Sequence, residues 1–328
     1  MTRTRLTELL GIRYPIIQGG LNNLAFADLA AAVSNAGALG QVTATSGTLR
    51  TTEQVLEQVR LAKARTPYPF AVNFALSERR PELPALLEAV LEEDVAAVSF
   101  TAGNPEPFIA QARRQRGARV KVLVLVAGVR QAQKAEAAGA DVVVVVGVEG
   151  GGHLGRDDVG TLVLTPRVVE AVRIPVVASG GIADGRGLAA ALALGAEGVE
   201  MGTRFVATRE CRAHPAYKQA LVAASETDTA VIERSLGRPA RVLKGPQAQR
   251  ILEAEARGAP LDELLPLLAG PVSALGALEG DLERGFVWAG QAAGLIHDVP
   301  SVAELIERTM AEARQAAGRA ARKLAEGD

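Results

Sequence analysis

Short apolar runs rich in Val and Ile alternate along this chain with longer stretches whose apolar residues recur every three or four positions. The first pattern fits strands buried on both faces and the second fits amphipathic helices, because side chains repeat every two residues along a strand and every 3.6 around a helix. The spacing predicts eight strands, over 15–18, 39–42, 70–73, 96–100, 121–125, 141–146, 174–178 and 198–201. Helices are predicted between them over 25–35, 52–64, 83–92, 105–114, 129–138, 166–172 and 185–194. Regular alternation of strand and helix implies a parallel sheet. Eight strands by residue 201 favour an α/β fold of the closed (β/α)8 barrel type over an open sheet, although such barrels typically take about 250 residues. The alternation then stops. Residues 214–299 read as a smaller, mostly helical domain without a strong strand, with helices over 247–257 and 261–268. A last helix, 302–325, mixes charge with Ala and Leu and reads as packing back on the barrel. The expected division is therefore a barrel over 1–213, a helical substrate or lid domain over 214–299, and a C-terminal helix within 300–328.

Charge and composition narrow the function classes. The 36 basic residues nearly cancel the 37 acidic ones, and no basic stripe interleaved with aromatics is present, which argues against a nucleic-acid partner. One cysteine, Cys211, rules out an internal disulfide and a Cys-based metal cluster, and no metal site is expected. The N-terminal residues have no apolar leader, and no run of about 18 apolar residues suggests a membrane span. The expectation is a cytoplasmic protein acting on a small molecule, with no membrane partner and with a homodimer left open.

Barrel enzymes carry their chemistry on the loops after the C-terminal strand ends, and often bind phosphate after strands seven and eight. Strand seven runs into Ser179, Gly180 and Gly181, and strand eight into Gly202 and Thr203. Glycines there let backbone N–H groups approach an anion, and the two hydroxyls add donors. Either glycine loop alone would serve equally well as a tight turn. Strand one ends at Gly20, Leu21 and Asn22, strand three at Asn73, and strand five runs into Gly128. An Asn amide can both donate to and accept from a heterocycle. Together these ends point to a planar ligand that carries a phosphate.

The loop after strand six is GVEGGGHLGRDD, residues 147–158. It contains G-x-G-x-x-G from Gly150 to Gly155, but a dinucleotide fingerprint needs a helix opening inside it, and residues 156–161 lack helical spacing. The glycines instead allow close passage past a ligand, and the loop delivers His153 to the barrel mouth. An imidazole there can take, give or hold a proton near neutrality. His214 and His297 receive no role.

The segments YPIIQGG, PFAVNFAL, GVEGGGHLGRDDVGTLVL and IPVVASGGIADGRGLAAALALGAEGVEMGTRFVATREC resemble, in the same order, those of the nitronate monooxygenase family, formerly called 2-nitropropane dioxygenases. The resemblance is strong over residues 10–215 and looser beyond. It implies a (β/α)8 barrel that holds FMN without a covalent bond, under a smaller helical domain. It also implies FMN contacts from Gly20, Leu21, Asn22, Asn73, Gly128 and Gly151, a phosphate cradle of Ser179, Gly180, Gly181, Gly202 and Thr203, and His153 as the catalytic histidine. The activity implied first is oxidation of alkyl nitronates with O2. The family also includes NADH:quinone reductases, for which NADH would be a co-substrate, and FMN-dependent enoyl-acyl-carrier-protein reductases. A barrel that only binds a phosphorylated ligand is the non-enzymatic alternative. Two features depart from many members: Leu21 and Asn22 follow the first glycine pair, and Leu125 stands where some relatives are basic. The paired Asp157 and Asp158 look more like the quinone reductase branch, and the roles of Arg156, Asp157 and Asp158 stay open.

Overall fold

A computed structural model describes residues 3–45, 48–49, 51–77 and 79–325. Its eight parallel barrel strands are β1 (Ile16–Gln18), β2 (Gly40–Thr43), β3 (Phe70–Ala75), β4 (Ala97–Thr101), β5 (Lys121–Val126), β6 (Val142–Val146), β8 (Val176–Ser179) and β9 (Gly198–Met201), while β7 (Gly152–His153) lies outside the barrel. The sheet order is β1-β9-β8-β6-β5-β4-β3-β2. A parallel bridge between Ile17 and Leu39 joins its two edges, with Gln18 N–H donating to Leu39 O at 2.9 Å and Leu39 N–H to Ile16 O at 2.9 Å. The sheet is thus closed as a (β/α)8 barrel, as the strand count predicts.

Closure gives every strand an inner and an outer face. The inner face is stacked in layers by the two-residue alternation. Ile17, Leu39, Ala71, Ala97, Leu123, Val142, Val144 and Val177 form one apolar interior cluster, and Leu6, Leu10 and Ile12 join it from outside the sheet. Leu6 and Leu10 belong to a short helix, Arg5–Leu10, that the residue pattern does not predict. Thr4 starts it with a capping box to Thr7, and Gly11 ends it in the left-handed conformation at φ 67°. This helix plugs the barrel at the N-terminal ends of the strands, where a Cβ on Gly198 would fall 2.6 Å from Leu6 Cδ2. The outer strand faces meet the surrounding helices in two larger cores.

Three expectations change. Helix seven begins at Thr161, one turn before the predicted start, and carries Pro166 inside it. The carbonyl that Pro166 leaves without a donor is that of Leu162, which is exposed and open to water. The region after the barrel, expected to be mostly helical without a strong strand, also holds two short strands: β10 (Thr229–Ile232) and β11 (Ala240–Leu243) form an antiparallel hairpin, and β11 pairs with β7. Four-residue strands are too short to stand out by periodicity, and half of this sheet's third strand is glycine. The stretch Leu261–Glu279 is, by length and composition, apolar enough to cross a membrane, with a mean hydropathy of 1.4, contrary to the expectation of no such run. It is three pieces, Leu261–Leu268, Gly270–Ala274 and a π turn Leu275–Glu279, interrupted at Ala269 by a ψ of 146°.

The C-terminal helix, Val302–Ala325, buries Val302, Leu305, Ile306, Thr309, Met310 and Ala313. It packs on helix Gly185–Ala193, and a Cβ on Gly185 would fall 2.3 Å from Thr309 O and from Ala313 N. Replacing Leu6 with Ala should lower unfolding free energy by about 2–5 kcal/mol, the range for a large buried side chain removed from a site that cannot collapse. Denaturant titration reads this directly; a change within error would show that the plug does not support the barrel.

Candidate active site

At the C-terminal ends of the strands the barrel interior turns polar. Asn73 Nδ2 donates to Ser99 Oγ at 2.9 Å, and Ser99 Oγ donates to Gln41 Oε1. Gln41 Nε2 donates to Glu200 Oε2 at 3.2 Å and to Gln18 O at 2.9 Å. Ser179 also hydrogen-bonds the Glu200 carboxyl. All five of these side chains, Gln41, Asn73, Ser99, Ser179 and Glu200, are buried. They share a face for a simple reason: Ser179 pairs with Glu200 and Asn73 with Ser99 in parallel register, two residues beyond the inward-facing Val177, Gly198, Ala71 and Ala97. Loss of water pushes the Glu200 pKa up to about 7 against the opposing pull of its bonds from Gln41 and Ser179.

Above this floor lie the glycine loops. Gly20 passes so close to Asn73 that a Cβ on it would fall 2.3 Å from Asn73 Oδ1, and Leu21 Cδ2 would lie 3.4 Å from a Cβ on Gly202. The loop after β1, which includes Asn22, therefore meets β3 at Asn73 and the loop after β9 at Gly202. After β8, Gly180 and Gly181 hold φ of 97° and 72°, values that favour glycine, and Gly180 packs on Gly147. Among the described residues, the N–H groups of Gly180, Gly181 and Gly202, which follow the ends of β8 and β9, donate to no protein acceptor. Thr203 Oγ1 accepts from Gly290 N–H at 3.0 Å. Ser179, expected among the phosphate donors, ends β8 in register with Glu200, beside that carboxyl. Gly128 caps helix Val129–Ala137 with an extended backbone beside Ala127, against which Gly155 packs.

His153 is placed by the second sheet. It lies on β7, opposite Ala240 of β11, and its ring stands 5.5 Å from that of Trp288. Tyr217 OH donates to the Trp288 carbonyl, and Phe286 meets Trp288 edge-on at 5.0 Å. The imidazole is exposed on one side yet crowded by protein on the other. Partial loss of water lowers its pKa, and the Arg238 guanidinium lowers it further.

The loop leading to His153 is clamped from several sides. Arg241 donates to Val148 O through Nε at 3.1 Å and Nη2 at 3.0 Å, and Gln291 N–H donates to Glu149 O at 2.9 Å. Gly151 leaves no room for a side chain, since a Cβ would fall 2.6 Å from Gly290 N. The Glu149 carboxylate accepts from Thr161 N–H and Thr161 Oγ1, starting helix Thr161–Val169. Arg156 donates to Gly237 O at 2.7 Å, and Asp158 pairs with Arg234 at 3.0 Å, so these loop residues tie down the turn between β10 and β11. Of the other histidines, His214 accepts from Ala216 N–H as a helix cap.

Gln41, Ser99 and Glu200 were not among the residues singled out from the sequence. Each sits in a strand whose neighbours are apolar, and such an interruption at an inward position was the available signal. Glu149, Arg241 and Trp288 act through contacts between distant segments and gave none. Replacing Arg241 with Met should strip a charge-assisted pair of bonds worth about 1.5–3 kcal/mol from the His153 loop. Amide exchange at Leu154, bonded to Pro239 O at 2.8 Å, should then quicken by roughly tenfold to a hundredfold. Asp158→Asn, which breaks an exposed pair, should change it by less than about fivefold. Equal effects would remove the clamp from the account.

The family model for nitronate monooxygenase matches residues 3–85 and 83–312. A nitronate monooxygenase from Pseudomonas aeruginosa is 36% identical, with 94% of this chain and 99% of that protein covered. A (3aS,4S,5R,7aS)-5-hydroxy-7a-methyl-1-oxo-octahydro-1H-indene-4-carboxyl-CoA dehydrogenase from Mycobacterium tuberculosis is 34% identical, over 95% of this chain and 96% of that one. Among solved structures, FabK from Thermotoga maritima superposes with a TM-score of 0.88 at 41% identity, over 99% of both chains. By the whole-chain match and the barrel it folds into, this protein belongs to the nitronate monooxygenase family of oxidoreductases.

Proposed function

We propose that this chain is an FMN-dependent nitronate monooxygenase. The observation that carries the proposal is that glycine N–H groups without a protein acceptor, the Gly20–Asn73 contact and His153, whose pKa burial lowers, all lie at or just beyond the C-terminal ends of the barrel strands. The residues fit FMN: Gly180, Gly181 and Gly202 would hold its phosphate, and Gly20, Leu21, Asn22, Asn73, Gly128 and Gly151 would line its ring. Thr203 is tied to Gly290 and would act mainly by fixing that loop. When bound, FMN supplies the electron acceptor for a nitronate and passes electrons on to dioxygen.

The protein's own part is binding, orientation and proton handling. Neutral His153 would accept the α-carbon proton of a nitroalkane, or donate a hydrogen bond to the oxygen of a nitronate already formed. The Arg238 charge that depresses the imidazole pKa also favours an anionic substrate. Trp288 covers one side of the imidazole. The carboxyl-CoA dehydrogenase relatives favour a second reading, an FMN oxidoreductase acting on acyl thioesters.

Anaerobic mixing of FMN-loaded protein separates these. Propionate 3-nitronate should bleach the flavin rapidly while NADH does not. Bleaching by NADH alone would contradict the proposal, and NADH consumption driven by a crotonyl thioester would support the second reading. His153→Asn should keep FMN but slow turnover of neutral nitroalkanes by about 10²- to 10⁴-fold, with a smaller loss on preformed nitronate. Because the His153 pKa is lowered, the base is present at neutral pH and is lost only as pH falls below about 6.5. The acid limb of kcat/KM for a nitroalkane should therefore lie below that value and vanish in His153→Asn; an unchanged limb would remove His153 as the base.

A further inference from the structure

The polar floor contains one ionisable group, and nothing in the proposed reaction uses it. Glu200 lies on β9 between β1 and β8, facing inward. The elements packed against it present Gln18 and Gly19 from β1 and its loop, Gln41 from β2 and Ser179 from β8. No charged side chain among the described residues acts on the carboxyl. Gly19 packs against it: a Cβ there would fall 3.3 Å from the carboxyl carbon and from Oε1. A carboxyl between uncharged partners that is buried except for 8% of its residue surface responds to anything that removes its remaining contact with water.

The same carboxyl terminates a directed chain of hydrogen bonds. Accepting from Gln41 Nε2, it leaves Gln41 Oε1 to accept from Ser99, whose oxygen then accepts from Asn73 Nδ2. That order leaves the Asn73 amide oxygen on the Gly20 side. We propose that Glu200 is the positioning residue of the cofactor site, anchoring the Gln41–Ser99–Asn73 chain that sets the Asn73 amide, and that its carboxyl takes up a proton when a flat ring docks on the Gly19–Gly20 backbone. This rests on the assignment of the mouth to FMN. Docking buries the carboxyl further, which disfavours its charged form. Since burial already pushes the Glu200 pKa up to about 7, the uptake falls within the working pH range.

The test is FMN affinity by quenching of flavin fluorescence from pH 6 to 8.5, in the wild type and in Glu200→Gln. Glutamine keeps an acceptor oxygen for Gln41 and Ser179 but cannot titrate. A further rise of one unit on docking would weaken wild-type binding about sevenfold across this range relative to Glu200→Gln, which should bind at the low-pH strength throughout. Taking the ratio of the two proteins cancels titration of the FMN phosphate and of His153. Glu200→Leu, checked for folding by circular dichroism, should lose at least about tenfold at every pH because the Gln41 amide loses its partner. A ratio that does not change with pH, or that changes in the opposite sense, overturns the proton uptake. Unchanged affinity in folded Glu200→Leu overturns the positioning role. If no variant binds FMN at any pH, the cofactor assignment itself fails and the inference falls with it.

Discussion

Closure of the parallel sheet between β1 and β2 is the constraint on which everything else depends. Once the Ile17–Leu39 bridge joins the edges, each inward side chain has a fixed height in the barrel. Leu6 and Leu10 fill the base, apolar residues the middle, and Gln41, Asn73, Ser99, Ser179 and Glu200 the top. Such polar groups are tolerated because they satisfy one another, and satisfaction gives the layer a preferred orientation. The mouth is therefore built on a rigid floor, and the glycine loops above it gain fixed backbone donors.

His153 is held by a different device. Its loop leaves the barrel after β6, but its position depends on β11, Arg241, Trp288 and Gln291 from the later part of the chain. Barrel and hairpin are thus joined at the residue proposed to move the proton. Arg156 and Asp158 extend the same tie to the hairpin turn.

The barrel was legible from sequence because buried parallel strands are written as short apolar runs, and the run Val142–Val146 has no other plausible use. All eight barrel strands fall where the pattern places them, within a few residues at their ends. The plug helix was not legible, since six residues give too little periodicity, and the hairpin was hidden by equally short strands. The glycine pairs read from the sequence do lie at or just beyond the C-terminal ends of their strands. What one dimension conceals is the register across strands. Ser179 is next to Gly180 in sequence, and the register also sets it beside Glu200 on the next strand.

The account stands most directly on where FMN binds. Its central claim is that the glycine loops after β8 and β9 hold the phosphate while the Gly19–Gly20 backbone and Asn73 meet the ring. A crystal structure of the protein grown with FMN should show the phosphate within hydrogen-bond distance of the Gly180, Gly181 and Gly202 N–H groups, with the ring at the barrel mouth beside His153. A flavin bound elsewhere, or a phosphate turned away from those three glycines, would contradict it.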